Sequence, residues 1–241
     1  MSRFLEKLRA RNADLNADPV RIAFLGDSVT QGCFEIYRTG EASVETVFEP
    51  ENAYSACLRK IFAAVCPRVP VAVLNCGISG DNAPHGLQRL EKDVLSCNPD
   101  LVVVCFGLND SGAGPDGLER YAAALRGILA RLREEGIDAV LMTPNMMCTG
   151  VSPHLTDDLS RQIAENCARV QNEGMLERYL DAAKAVCAAE GVTVCDCYAK
   201  WKVLAASGAD VTELLSNKIN HPTREMNWMF AYSLVETMLM E

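Results

Sequence analysis

The chain has little histidine and little tryptophan, three and two residues in 241. Few imidazoles are therefore on hand for metal binding or base chemistry. No run of 18 or more apolar residues occurs, so no segment reads as a membrane-spanning helix. The amino-terminal stretch MSRFLEKLRARNADLNADP is charged and amphipathic and lacks the apolar centre of a secretory signal. Positive charge is also short: 23 Lys and Arg stand against 32 Asp and Glu, a formal net charge of −9. Duplex binding needs a basic footprint that this chain lacks, and acidic balance argues against anionic membrane surfaces. No P-loop follows any predicted strand and no G-x-G-x-x-G stands directly after one, which argues against a nucleotide-binding or phospho-acceptor domain built around Asp27. The expectations are no nucleic-acid partner, no stable membrane insertion and a cytoplasmic location. Homo-oligomerisation is left open.

Cysteine, in contrast, is plentiful. There are eleven, an odd number scattered through predicted strands and helices, with no disulfide framework in their spacing. Cys195 and Cys197 form a C-x-C pair without a matching second pair, which argues against a zinc site. Buried free thiols in a reducing compartment are expected. Hydrophobic residues make up 49% and charged residues 23%, the proportions of an ordinary globular domain. The length suits one α/β domain spanning residues 1–241.

Apolar periodicity gives five strand candidates: residues 21–25 (RIAFL), 69–75 (VPVAVLN), 101–106 (LVVVCF), 137–142 (IDAVLM) and 192–195. The third is continuously apolar, as a central parallel strand covered on both faces would be. Helical patterns cover residues 3–16, 53–65, 83–96, 116–135, 157–190 with a break near Gly174, and 223–240. Residues 33–52 show no stable period and read as an irregular surface excursion. Strands alternating with helices predict a parallel sheet in a three-layer α/β/α sandwich. In such a sheet the ligand site lies beyond the carboxyl ends of the strands, where strand order reverses.

Polar residues collect there four times. Gly26-Asp27-Ser28 follows the first strand, and Ser28 is a nucleophile if a base stands nearby; helix capping is the ordinary use of such residues. Residues 75–82 (NCGISGDN) follow the second strand, with glycines whose N–H groups can face a developing oxyanion. Gly107-Leu108-Asn109-Asp110 follows the third, where an asparagine amide can donate to the same oxyanion or simply build a turn. Asn220-His221-Pro222 precedes the last helix and offers a neutral imidazole, the usual base for serine. His85 and His154 read as spectators, His154 with a place in a substrate cleft open to it.

This ordered set, from G-D-S to a late N-H-P, resembles the block pattern of the SGNH/GDSL hydrolase family over nearly the whole chain. The resemblance implies a flavodoxin-like five-stranded sheet. It implies Ser28 as nucleophile and His221 as general base, with an oxyanion hole of the N–H groups of Ser28 and Gly80 and the side-chain amide of Asn109. One position departs from the pattern. Three residues before the histidine, where the family usually has an aspartate, stands Lys218, which has donors only. A backbone carbonyl, Asn217, Asn220 or Asp196 is left to orient the imidazole, so a Ser–His dyad is expected rather than a full triad.

The implied reaction is acyl transfer from a small-molecule carboxylic ester through an acyl-enzyme, calling for no metal or organic cofactor. An O-acetylated carbohydrate is a candidate ester. Residues 33–52 and 143–156 are candidate lid or pocket segments. The competing reading is a non-catalytic ligand-binding module on the same fold, with Lys218 marking lost catalysis.

Overall fold

The structure, a computed structural model, describes residues 2–41 and 43–240. Its elements run in the order α1 (Arg3–Ala13), β1 (Val20–Gly26), α2 (Ser28–Gln31), β2 (Cys33–Arg38), β3 (Val44–Phe48), α3 (Tyr54–Val65), β4 (Val71–Gly77), α4 (Ala83–Asp93) and β5 (Leu101–Cys105). They continue with α5 (Leu118–Glu134), β6 (Asp138–Met142), α6 (Asp158–Asn172), α7 (Met175–Glu190), β7 (Thr193–Cys195), α8 (Cys197–Ala206) and α9 (Arg224–Leu239).

Five strands form one parallel sheet in the order β4-β1-β5-β6-β7. Strand order reverses between β1 and β5, as in flavodoxin-like folds, and opens a crevice beyond their carboxyl ends. Side chains alternate across each strand, so each strand feeds two cores. Ile22, Phe24 and Val103 face Phe4, Tyr54, Phe62 and Phe230 of α1, α3 and α9. Ala23, Leu25, Val102 and Val104 face Leu90, Tyr121, Leu125 and Tyr179 of α4, α5 and α7. The result is the expected three-layer sandwich. Each large side chain taken fully from water contributes about 1.5–3 kcal/mol, which makes the double core the main source of rigidity under the site.

The structure differs from the sequence reading in two places that bear on the site. Residues 33–52 are not irregular: β2 and β3 form an antiparallel hairpin, followed by a 3₁₀ turn at Pro50–Asn52. Its pairing runs from Cys33↔Phe48 to Ile36↔Thr46, three steps on one strand against two on the other. One extra residue therefore sits at Phe34–Glu35, a β-bulge that locally breaks the ladder. The bulge and the charges of Glu35, Arg38 and Glu45 erase the alternation that would have marked these strands. The second difference is α8, begun by Asp196, which accepts from the Ala199 N–H at 3.1 Å, and anchored by the fully buried Trp201. The break near Gly174 is present, with that residue in the left-handed conformation (φ 72°) between α6 and α7. The short α2 also falls outside the predicted helices; the remaining helices and strands match expectation to within a few residues at their ends.

Candidate active site

Ser28 opens α2 directly after β1. The turn into it requires Gly26, since a Cβ there would lie 2.1 Å from Thr30 Oγ1 and 2.7 Å from the Cys105 carbonyl. Capping falls to Asp27, whose carboxylate accepts from the Val29 N–H at 3.0 Å. The Ser28 hydroxyl is thereby left for another partner. The Ser28 N–H, at the first position of the helix, has no acceptor within that helix.

That partner is His221. Its Nε2 lies 3.0 Å from Ser28 Oγ, and its Nδ1 lies 2.8 Å from the Phe34 carbonyl oxygen. A carbonyl only accepts, so Nδ1 carries the hydrogen and Nε2 presents a lone pair to the serine hydroxyl. Both side chains are about 95% buried. Burial lowers the His221 pKa below its ordinary value, while the Phe34 carbonyl and the Glu35 charge push it up. The imidazole is accordingly neutral at pH 7, the form a base requires.

The loop holding His221 is shaped by Asn217, whose Oδ1 accepts from the N–H groups of Ile219, Asn220 and His221 at 2.9–3.0 Å. Lys218 takes the left-handed conformation (φ 59°), and its ammonium pairs with Glu213 at 2.8 Å. It takes no part in orienting the imidazole. Of the acceptors left open by the sequence, Asn217 serves this turn and Asn220 Oδ1 accepts from Asn217. Asp196 is occupied with Thr143, Lys184 and the α8 cap. The acceptor is a main-chain carbonyl from the hairpin.

The other two strand-end loops are stitched to this one. The Ile78 N–H donates to the Gly26 carbonyl at 3.1 Å and the Ser79 N–H to Gln31 Oε1 at 2.6 Å. Between them and Asp81 lies Gly80 in the left-handed conformation (φ 77°), its N–H without an acceptor among the described residues. Asn109 Nδ2 donates one hydrogen to the Asp81 carbonyl at 2.8 Å, and an amide carries two. Asp110 accepts from the N–H groups of Ala83 and Gly107, each at 3.0 Å. The buried Arg89 completes the frame, donating to Asp81 (2.7 Å) and to the carbonyls of Cys76 (2.7 Å) and Gly26 (3.0 Å).

Beneath these loops lie three buried carboxyls. Burial raises Asp27 to about 7 and Asp110 to about 6, against the N–H groups that lower each. Because folding raises these values, the two groups favour the folded state most in acid, and that contribution is lost as pH climbs to neutrality. Beside Asn109 a cavity of about 380 Å³ is lined by Leu108, Met147, Asn166, Arg169, Val170 and Asn220. His85 pairs with Asp81 at 2.6 Å and is half exposed. His154 lines a separate hollow against the hairpin, with Ile36, Tyr37 and Lys218.

Comparison with known proteins matches the family described as GDSL-like Lipase/Acylhydrolase to residues 24–229. The chain belongs to the GDSL-like lipase/acylhydrolase family. This family member is 30% identical over 133 residues to an acetylxylan esterase of Geobacillus stearothermophilus, covering 52% of this chain and 59% of that protein. It is 30% identical over 97 residues to the Homo sapiens platelet-activating factor acetylhydrolase IB subunit alpha1, covering 40% of this chain and 41% of that protein. These alignments thus span about half the length of the relatives. The structure of a variant of Axe2, an acetyl-xylooligosaccharide esterase from the same Geobacillus, shares the fold at TM-score 0.66 and 20% identity, over 92% of this acylhydrolase-family chain and 95% of that one. A two-domain esterase active on acetylated mannans gives TM-score 0.66 at 19% identity, over 98% and 53%. Phe34, Glu35, Glu49 and Arg224 were not singled out from sequence. A main-chain carbonyl leaves no residue-type signal, and only the arginine three residues after the histidine could have drawn attention.

Proposed function

We propose that the chain is a single-domain serine esterase that cleaves small carboxylic esters through a Ser28–His221 dyad. The observation that carries this reading is the continuous relay from the Phe34 carbonyl through both nitrogens of His221 to Ser28 Oγ, at 2.8 and 3.0 Å. His221 Nε2 takes the hydroxyl proton as Ser28 Oγ attacks the ester carbonyl. The tetrahedral oxyanion is held by the N–H groups of Ser28 and Gly80 and the free amide hydrogen of Asn109, donors fixed in advance by the stitched loops. His221 then returns the proton to the departing alkoxide, leaving Ser28 acylated. Water, deprotonated by the same imidazole, releases the acid and restores the serine.

The substrate class supported is a short acyl ester of a polar alcohol, an O-acetylated carbohydrate being the best fit. The cavity beside Asn109 is small and carries amide and guanidinium groups alongside its apolar wall, and several relatives are described as esterases of acetylated sugars. The eleven cysteines are all unpaired, in keeping with residence in a reducing cytoplasm. Among the described residues, no helix is long and apolar enough to cross a membrane.

The test is hydrolysis of p-nitrophenyl esters from acetyl to decanoyl, with Ser28→Ala as control. Acetyl should be the preferred acyl group, and Ser28→Ala should lower kcat by on the order of 10⁴-fold or more. Equal turnover by Ser28→Ala, or no turnover of any ester, would leave the binding-module reading in its place.

A further inference from the structure

The dyad depends on a carbonyl carried by a small hairpin outside the main sheet. A two-stranded hairpin is marginal on its own, and the bulge at Phe34–Glu35 loosens its ladder where the carbonyl must be exact. The buried Phe34 and the packing of Ile36 on the main core hold β2 in part, and Arg224 is placed to fix both strands together. Its guanidinium makes two forked pairs. Nη1 and Nη2 donate to the two oxygens of Glu35 at 2.7 and 3.0 Å, and Nε and Nη2 donate to the two oxygens of Glu49 at 2.8 and 2.5 Å.

Glu35 is the residue after Phe34 in β2. Glu49 follows the last residue of β3, and its N–H donates to the Gly32 carbonyl at 2.9 Å. One guanidinium therefore grips both strands at the base of the hairpin. It also lies over the Phe34 ring, 4.4 Å from the centroid, a cation–π arrangement. Arg224 is three residues after His221, at the start of α9. That helix is itself tied down, since Asn227 Oδ1 accepts from the Tyr54 N–H at 3.0 Å. A short, anchored link thus joins the imidazole to its acceptor.

We propose that Arg224 is a positioning residue for the esterase reaction: through Glu35 and Glu49 it clamps the bulged hairpin so that the Phe34 carbonyl does the orienting work of the family's absent aspartate. This rests on the dyad assigned above. The clamp also supplies charge. One guanidinium faces two carboxylates, which leaves a net negative group one residue from the accepting carbonyl, where it favours the imidazolium formed during attack. Arg224 holds both Glu35 and Glu49 below the usual carboxylate range, Glu49 at about 2, so both stay ionised at neutral pH. The three side chains are each a third or more exposed, and exposed pairs add little to global stability. A role in positioning therefore separates from a role in folding.

The experiment measures four quantities for Arg224→Gln, Arg224→Lys and Glu35→Gln: the rate of Ser28 labelling by a fluorophosphonate, kcat and KM on p-nitrophenyl acetate, the melting temperature, and the downfield proton resonance of His221 Nδ1–H. Arg224→Gln should lose on the order of 10- to 100-fold in labelling rate and kcat. Its KM and melting temperature should stay near the wild-type values, and the Nδ1–H resonance should vanish through exchange. Arg224→Lys keeps the charge but not the fork, and should fall between. A folded Arg224→Gln that labels at the wild-type rate overturns the clamp. If Arg224→Gln does not fold, Glu35→Gln decides in the same way, a wild-type rate again overturning it. A wild-type protein that takes no label, like Ser28→Ala, overturns the dyad itself, whereas a labelled wild type with indifferent variants overturns the clamp alone.

Discussion

The central sheet and the β2–β3 hairpin contribute to the same site by opposite physical means. Strands β1 and β5 are apolar and almost wholly buried, and their position follows from burying two faces at once. They deliver Ser28 and Asn109 to the crevice because parallel strands end together at one edge. The hairpin is buried only where it begins, at Cys33 and Phe34, and is exposed farther out, with Tyr37 at 53% and Phe48 at 46%. It has no core of its own, leans on the main core through Ile36, and is clamped at its base by an arginine with two carboxylates. The sheet fixes where the proposed nucleophile and oxyanion donors stand, and the hairpin fixes how the proposed base is turned. A fold can thus exchange an orienting side chain for a main-chain oxygen if another element holds the main chain still.

Three measurements sharpen or break this contrast. The largest expected effect is on stability. Phe24→Ala, at a fully buried position stacked edge-on against Tyr54 at 5.6 Å, should cost about 3–5 kcal/mol in urea unfolding. Phe48→Ala on the hairpin should stay within about 0.5 kcal/mol. Similar losses at the two positions would mean that the β3 side of the hairpin also shares the sheet's core. Next comes the oxyanion half of the crevice. Asn109→Ala should lower kcat by about 10²- to 10³-fold, with KM for p-nitrophenyl acetate little changed, and an unchanged kcat would remove that amide from the mechanism.

The smallest effect is a shift in pH dependence. Because His221 is held below its ordinary pKa of 6.5 by burial, its neutral form persists into mild acid. The acid limb of kcat/KM should therefore fall below pH 6.5, activity being lost as pH drops and the imidazole takes up a proton. A limb centred above that value would mean that the hairpin's negative charge outweighs burial.

Much of the site could be read before any coordinates. The G-D-S turn, the asparagine after β5 and the late N-H-P are side-chain signals at strand or helix ends, and periodicity alone located those ends. Gly80 was legible as the glycine of I-S-G-D, and its left-handed conformation fits that place. Lys218 was legible as a departure, although what replaces the aspartate was not. The acceptor on Phe34 is a carbonyl, which every residue has, and its exposure to His221 comes from a bulge that also hides the strand from periodicity. Helix α8 escaped notice because Cys197, Tyr198 and Trp201 are its buried residues among lysines and small residues, a pattern without a clean stripe.

By itself, then, the sequence determined the alternation of strands and helices, the double-faced core and the side chains gathered at the sheet's carboxyl edge, because burial and turn chemistry are local in the chain. Only the tertiary structure decided that residues 193 apart meet at 3.0 Å, that the imidazole donates to Phe34, and that Arg224 joins the hairpin to the last helix. Those contacts depend on main-chain oxygens and on the three-dimensional path of distant segments, and neither is written in the identity of any single residue.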